Sequence, residues 1–337
     1  MRYIIDVLKQ MPESASFNAW QKAPADVIRT LQSSGAKSKF IIVPESKSKL
    51  KNVFVGILNT LKATIALHKG DELYIQRYGY YIDLLASLAK KKGVKLNYIV
   101  HDLTFLRFGN TKGASKELSL LKNMDAIFVH TEAMAALLKE KGVRAELKIM
   151  HLFDYYSDDA MMPENEVLRM KNVVAFAGNL DKSTFLRSLV ASKIPNTMTY
   201  HLYGLMKESK PIDNDQITYM GAFKPDKTGK VKAGWGLLWD GDSIETCSGV
   251  LGEYLKINSS HKLSLYLTCG MPVILWKKSS LATWLTEKGT CILIDSLDEI
   301  PRRLSNITDD EYKKFVENAR RLGCKLRNGE LLKSLLG

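Results

Sequence analysis

Cysteine is scarce in this chain of 337 residues: Cys247, Cys269, Cys291 and Cys324 stand apart, with no Cys-x-x-Cys pair and no histidine cluster. That spacing excludes a zinc finger or ribbon and a disulfide-stapled secreted module, and it leaves free thiols in a reducing compartment. No stretch reaches the roughly 20 apolar residues that a bilayer span requires. The nearest, Val53 to Leu67, is interrupted by Lys62. The opening MRYIIDVLKQ has no long apolar core followed by a small-residue cleavage site, so it reads as a first strand rather than a secretory leader. A cytoplasmic protein is expected, with contact at the inner face of the membrane left open. Gly-x-Gly-x-x-Gly and Walker motifs are missing, as are RNA-binding aromatic motifs and a helix-turn-helix pattern. Low-complexity tracts and short repeats are missing too.

What is present is an ordinary globular composition, 45% hydrophobic and 25% charged, at about twice the length of a single domain. The net charge of +13 is the compositional exception. Its lysines and arginines are dispersed, which favours an anionic membrane surface or a diphosphate substrate over nucleic acid.

Short β-branched runs alternate with amphipathic segments throughout. Strands are expected at Tyr3–Leu8, Phe40–Val43, Leu73–Gln76, Leu96–Val100, Ala126–Val129 and Glu146–Met150. After a polar break at 153–170 they resume at Val173–Ala177, Tyr200–Tyr203, Ile217–Met220, Trp235–Trp239, Val273–Leu275 and Cys291–Ile294. Strands alternating with helices predict parallel sheets with right-handed crossovers. Two doubly wound Rossmann-like domains facing across a cleft follow: 1–152, a hinge at 153–170, 171–308, and a C-terminal segment 309–337 able to pack back across the cleft.

In such sheets ligands bind beyond the carboxyl ends of the strands. Two loops of the second half stand out there. Gly178-Asn179-Leu180-Asp181-Lys182 follows one strand, offering a close backbone approach and a cation. Asn258-Ser259-Ser260-His261-Lys262 opens a helix whose first-turn amides suit a diphosphate; Lys262 opposes the helix dipole, which a purely structural helix has no reason to do. A bland capped helix would also use Asn-Ser-Ser. Asp240-Gly241-Asp242 could hold sugar hydroxyls, although a plain turn fits its spacing better. In the first half His101-Asp102 ends a strand, where the pair could deprotonate an acceptor hydroxyl or simply bond to backbone. Arg77, with Ser16 and Asn18 in the long first loop, falls on the same edge, as do His130 and Glu132.

The run Asn258-Ser-Ser-His-Lys-Leu-Ser-Leu-Tyr-Leu-Thr-Cys-Gly-Met-Pro-Val-Ile resembles the Ser-x-Lys-Leu…Gly-x-Pro-Val-Ile block of GT-B glycosyltransferases. With Phe176-Ala-Gly-Asn-Leu, Trp235-Gly-Leu-Leu-Trp-Asp240 and Tyr98-Ile-Val-His-Asp-Leu, it resembles the group of bacterial β-1,6-galactofuranosyltransferases and the streptococcal glucosyltransferases that extend O-GlcNAc on serine-rich-repeat adhesins. The resemblance implies a metal-independent, inverting transfer of galactofuranose or glucose from a UDP-sugar to a lipid-linked or protein-linked glycan, by a homo-oligomer without a cofactor. It implies Gly178, Asn179 and Lys182 beside the diphosphate, Ser259, Ser260 and Lys262 on phosphate and donor, Tyr203 and Tyr219 at the nucleoside, and His101 and Asp102 on the acceptor side. The Glu-x7-Glu pair of many relatives is absent from the helix 260–268, so no ribose-binding acid carries over. A UDP-sugar 2-epimerase or a non-catalytic glycan-binding subunit of the same architecture remains open.

Overall fold

The alternation of strands and helices becomes two parallel sheets in the computed structural model, which describes residues 1–8, 21–42, 49–79, 81–107, 112–206 and 214–336. The first half supplies β1 (Arg2–Leu8), β2 (Lys37–Ile42), β3 (Glu72–Ile75), β4 (Lys95–Ile99), β5 (Ala126–Val129) and β6 (Glu146–Ile149). They lie in the order β2-β1-β3-β4-β5-β6, every neighbouring pair parallel. The second half supplies β7 (Val173–Ala177), β8 (Thr199–Tyr203), β9 (Ile217–Gly221), β10 (Trp235–Leu238), β11 (Val273–Trp276) and β12 (Cys291–Ile294), in the order β12-β11-β10-β7-β8-β9. These are also parallel throughout.

Continuous burial rather than alternation marks the central strands, because helices cover both faces of a parallel sheet. All four residues of β5, β10 and β11 are buried. Each sheet reverses direction once beside its first strand, between β1 and β3 and between β7 and β10. Those two switch points are where the topology leaves room for ligands.

The chain divides into two units. One contains residues 24–150, β1 and the tail from Leu332; the other contains His151–Leu331. The segment 309–337 is therefore split. Its helix Asp309–Arg327 opens with a Thr308/Glu311 capping box and belongs to the second unit. The tail belongs to the first, where Lys148 Nζ donates to Leu335 O at 2.9 Å and Arg2 to Leu336 O at 3.0 Å. No helix among the described residues is long and apolar enough to cross a membrane.

Candidate active site

β7 and β10 pair only through Val174–Trp235 and Ala175–Gly236, and their carboxyl ends then part. Tyr266 bridges the opening. Its hydroxyl accepts from the Ala177 amide at 2.8 Å and donates to the Leu237 carbonyl at 3.1 Å. Burial raises its pKa far above the ordinary phenol value, so the donor stays protonated. The ring fits because residue 236 is glycine; a Cβ there would fall 2.1 Å from Tyr266 Cγ. Tyr266 thereby fixes the helix His261–Thr268 against the switch point.

Lys262 sits one turn earlier on the same face of that helix. Its Nζ lies 2.6 Å from Asp240 Oδ1, just beyond β10, and 4.9 Å over the ring of Phe176 in β7. Its Cε comes within 3.1 Å of where a Cβ on Gly178 would stand. Only 19% of the side chain is exposed. A partly desolvated ammonium thus stands where β7, β10 and a helix N-terminus converge. Ser260 occupies the N-cap in extended conformation without capping through its side chain, and buried Ser259 precedes it. Stacking of His261 on Tyr155, with centroids 4.8 Å apart, holds the start of the helix. The helix dipole and the Lys262 charge act together on an anion placed here. Asp240 neutralises the ammonium, and a diphosphate, with two charges and more acceptor oxygens, can compete with one carboxylate for it.

The neighbouring edge is built from backbone. Gly178 N donates to Tyr203 O at 2.9 Å and Gly204 N to Gly221 O at 3.1 Å. Gly204 has φ of 140°, and a Cβ on it would lie 1.7 Å from Gly178 O, so only glycine fits. Half-exposed Tyr219 donates its hydroxyl to Gly204 O at 2.9 Å and keeps its ring at this edge.

Other residues singled out in the sequence behave differently. Asn179 shapes its loop by accepting from Lys182 N at 3.2 Å, which occupies an amide the sequence leaves open to a ligand. The Lys182 side chain is exposed. Tyr203 is buried in the core, and its hydroxyl donates to Lys232 O and accepts from Lys232 N, so its ring presents no face to a nucleoside. The acids of Asp240-Gly241-Asp242 take separate partners: Asp240 binds Lys262, while Asp242 accepts from Thr184 Oγ1 at 2.8 Å. Among the described residues no three His, Cys, Asp or Glu side chains gather as a metal-binding set. Sequence reasoning missed the roles of Asp240, Phe176, Gly204 and Tyr266. Of these, Tyr266 carried a signal in its i,i+4 spacing from Lys262, and Phe176 and Asp240 stood in the blocks that resemble the family, whereas Gly204 carried none.

In the first unit the switch point lies between β1 and β3, and polar residues collect past β3 and β4. The buried Gln76 is oriented by Nε2 donating to Pro24 O at 3.3 Å, and its Oε1 faces His101 Nε2 at 3.0 Å. With the amide oxygen of Gln76 as acceptor, Nε2 of His101 is the donor in this contact. Asp102, next in the chain, is exposed. Half-buried Arg77 follows β3. Behind them Glu117 accepts from the amide and hydroxyl of Thr104 at 2.8 and 3.0 Å. Burial, with a smaller contribution from the Asp102 charge, raises its pKa. Ser16 and Asn18 lie outside the described residues.

His130 does not offer a base. It is buried, with Nε2 2.9 Å from Val100 O, and burial lowers its pKa from 6.5 to about 4. Because the folded value is depressed, the unfolded chain binds the extra proton. Stability is therefore full above pH 6.5 and falls as pH drops towards 4, by up to about 3 kcal/mol. A His130→Gln variant should flatten that part of the urea-denaturation profile; an unchanged pH slope would assign acid sensitivity elsewhere.

Two parallel α/β units, each with its own switch point, are the architecture of the GT-B fold. The chain belongs to the glucosyltransferase 3-like family: its N-terminal domain model matches residues 2–152 and its C-terminal domain model residues 174–337. The β-1,6-galactofuranosyltransferase WbbI of Escherichia coli K12 is 31% identical over 244 residues, covering 71% of this chain and 69% of its own length. Glucosyltransferase 3 of Streptococcus gordonii is 27% identical, over 72% of this chain and 70% of its own. Among solved structures, trehalose-6-phosphate from E. coli bound with UDP-2-fluoro glucose shares the fold, with a TM-score of 0.61, 12% identity, and coverage of 100% of this chain and 98% of that one.

Proposed function

We propose that the chain transfers a hexose, galactofuranose or glucose, from a UDP-sugar to a hydroxyl of a lipid-linked or protein-linked glycan, without a metal and with inversion. The observation that carries this reading is the partly buried Lys262 ammonium at the β7/β10 switch point, beside a helix N-terminus and a glycine-only backbone edge. The lysine and the amides of the helix take up the charge that develops on the departing UDP, the part a divalent cation plays elsewhere. Tyr219 and the edge formed by Gly178 and Gly204 receive the nucleoside, and Ser259, Ser260, Asn179 and Lys182 border the phosphates. On the first unit Asp102, or His101, removes the proton of the attacking hydroxyl, with Arg77 on the acceptor. Assembly as a homo-oligomer belongs to the same proposal. Names borne by the relatives support a galactofuranosyl or glucosyl donor.

The test is a screen of UDP-galactofuranose and UDP-glucose with glycan acceptors in the presence of EDTA, on the parent chain and on Asp102→Asn. Transfer by the parent, and a loss of about 10²–10⁴-fold in the variant with UDP affinity unchanged, is expected. Release of free UDP-sugar epimer without acceptor would overturn the reading. Weakened UDP binding by Asp102→Asn would move that residue to the donor.

A further inference from the structure

A helix on a globular protein ordinarily turns its largest apolar side chains inward and leaves small and polar ones outside. The helix Lys49–Ile65 does the reverse. Its buried positions are small: Gly56, Thr60, Ala63 and Thr64. Gly56 lies so close to the Tyr81 ring that a Cβ would meet it at 2.0 Å, so the helix is pressed down on its small face. Its exposed apolar positions are Val53, Phe54, Ile57, Leu58, Leu61 and Ile65, six of the thirteen large apolar side chains exposed among the described residues. Phe54 is 69% and Ile65 73% exposed. Spaced at 53, 54, 57, 58, 61 and 65, they form one stripe.

The helix itself carries charge of one sign. The helix sequence KLKNVFVGILNTLKATI holds three lysines and no acid. Exposed Lys62 lies within the stripe's length and exposed Lys69 just past its end. Lys92 closes the C-terminus by donating to Thr64 O and Ile65 O at 2.9 and 3.3 Å. The neighbouring helix Ile82–Lys91 carries exposed Leu84, while the ammonium of its Lys90 is taken up by Asn123 O at 2.7 Å. An acid-free helix with Phe, Leu and Ile on its outer face and lysines around it has the composition of an interfacial helix.

We infer that the face of Lys49–Ile65 docks on an anionic lipid bilayer, with Phe54, Leu58 and Leu61 entering the boundary between headgroups and acyl chains and the lysines on lipid phosphates. A second copy of this chain fits less well. An isologous contact sets the same patch against itself, and here that brings the lysines of one copy onto those of the other. The inference goes beyond sugar transfer and is read without donor or acceptor.

Co-sedimentation with vesicles of phosphatidylcholine alone, or of phosphatidylcholine with phosphatidylglycerol, tests it. The parent chain should pellet with the anionic vesicles and less as salt rises. The double variant Phe54→Ser, Leu58→Ser should lose about tenfold or more in partitioning. Lys62→Gln should lose less, and only on anionic vesicles. Both substitute exposed residues, so UDP binding and the thermal midpoint should stay at parent values and report on folding. Failure of the parent to pellet with anionic vesicles would overturn the inference, as would equal partitioning by the double variant. A drop in sedimentation mass on serine substitution, without vesicle binding by the parent, would assign the face to contact between copies instead.

Discussion

Replacing Lys262 by alanine should lower turnover of the UDP-sugar by about 10²–10³-fold, the usual cost of removing one preorganised stabiliser of transition-state charge. The cause is local. The substitution removes the ammonium held over Phe176 and against Gly178, where β7, β10 and the helix start converge. The fold should survive. The side chain is one-fifth exposed, and losing its bond to Asp240 costs about 1 kcal/mol, a shift of roughly 3 °C in a domain of this size. Lys262→Met separates charge from packing, because it keeps a stem beside Gly178 and removes only the ammonium. Steady-state kinetics of both variants should show the same loss. A methionine variant near the parent rate would show that the stem, and not the charge, matters.

The second large effect is on stability. Gly204→Ala should destabilise the second unit by at least about 4 kcal/mol, since the new methyl would stand 1.7 Å from a backbone oxygen at a φ that side chains avoid. Gly35→Ala is the control: its φ is 86°, with nothing within 4 Å of the added carbon, so only the backbone term of about 1 kcal/mol applies. Urea denaturation of the pair reads the difference. Equal effects of the two substitutions would mean that the ends of β7 and β8 do not meet as closely as described.

Much of this was legible in the sequence, for physical reasons. Runs such as Val173–Ala177 and Val273–Leu275, apolar on consecutive residues, too short for helices and set between helical patterns, read as strands covered on both sides, and both sheets follow from that. Lys262 was legible because a cation in a first turn works against its own helix unless something anionic is served there. Gly35, Gly93 and Gly142 stand just past helix ends, where glycine closes a helix, and all three have left-handed backbone.

Strand order was not legible. Asp240 reads as a turn acid until β10 is known to lie beside β7, and only then does it face Lys262. Tyr203 misleads for the opposite reason. In a strand with both faces covered, a tyrosine at the carboxyl end looks available although its hydroxyl is spent on Lys232. The outward stripe of Lys49–Ile65 escaped notice because apolar periodicity marks a face without saying which way it points. Only the tight contact at Gly56 shows that the small residues are the ones turned inward.

The most direct measurement is calorimetric titration of UDP into the parent chain and into Lys262→Met, each with EDTA present. One site per chain in the parent, and affinity lowered by about tenfold or more in the variant, is the expected result for an ammonium that grips a pyrophosphate. Equal UDP affinity in the two proteins would contradict it.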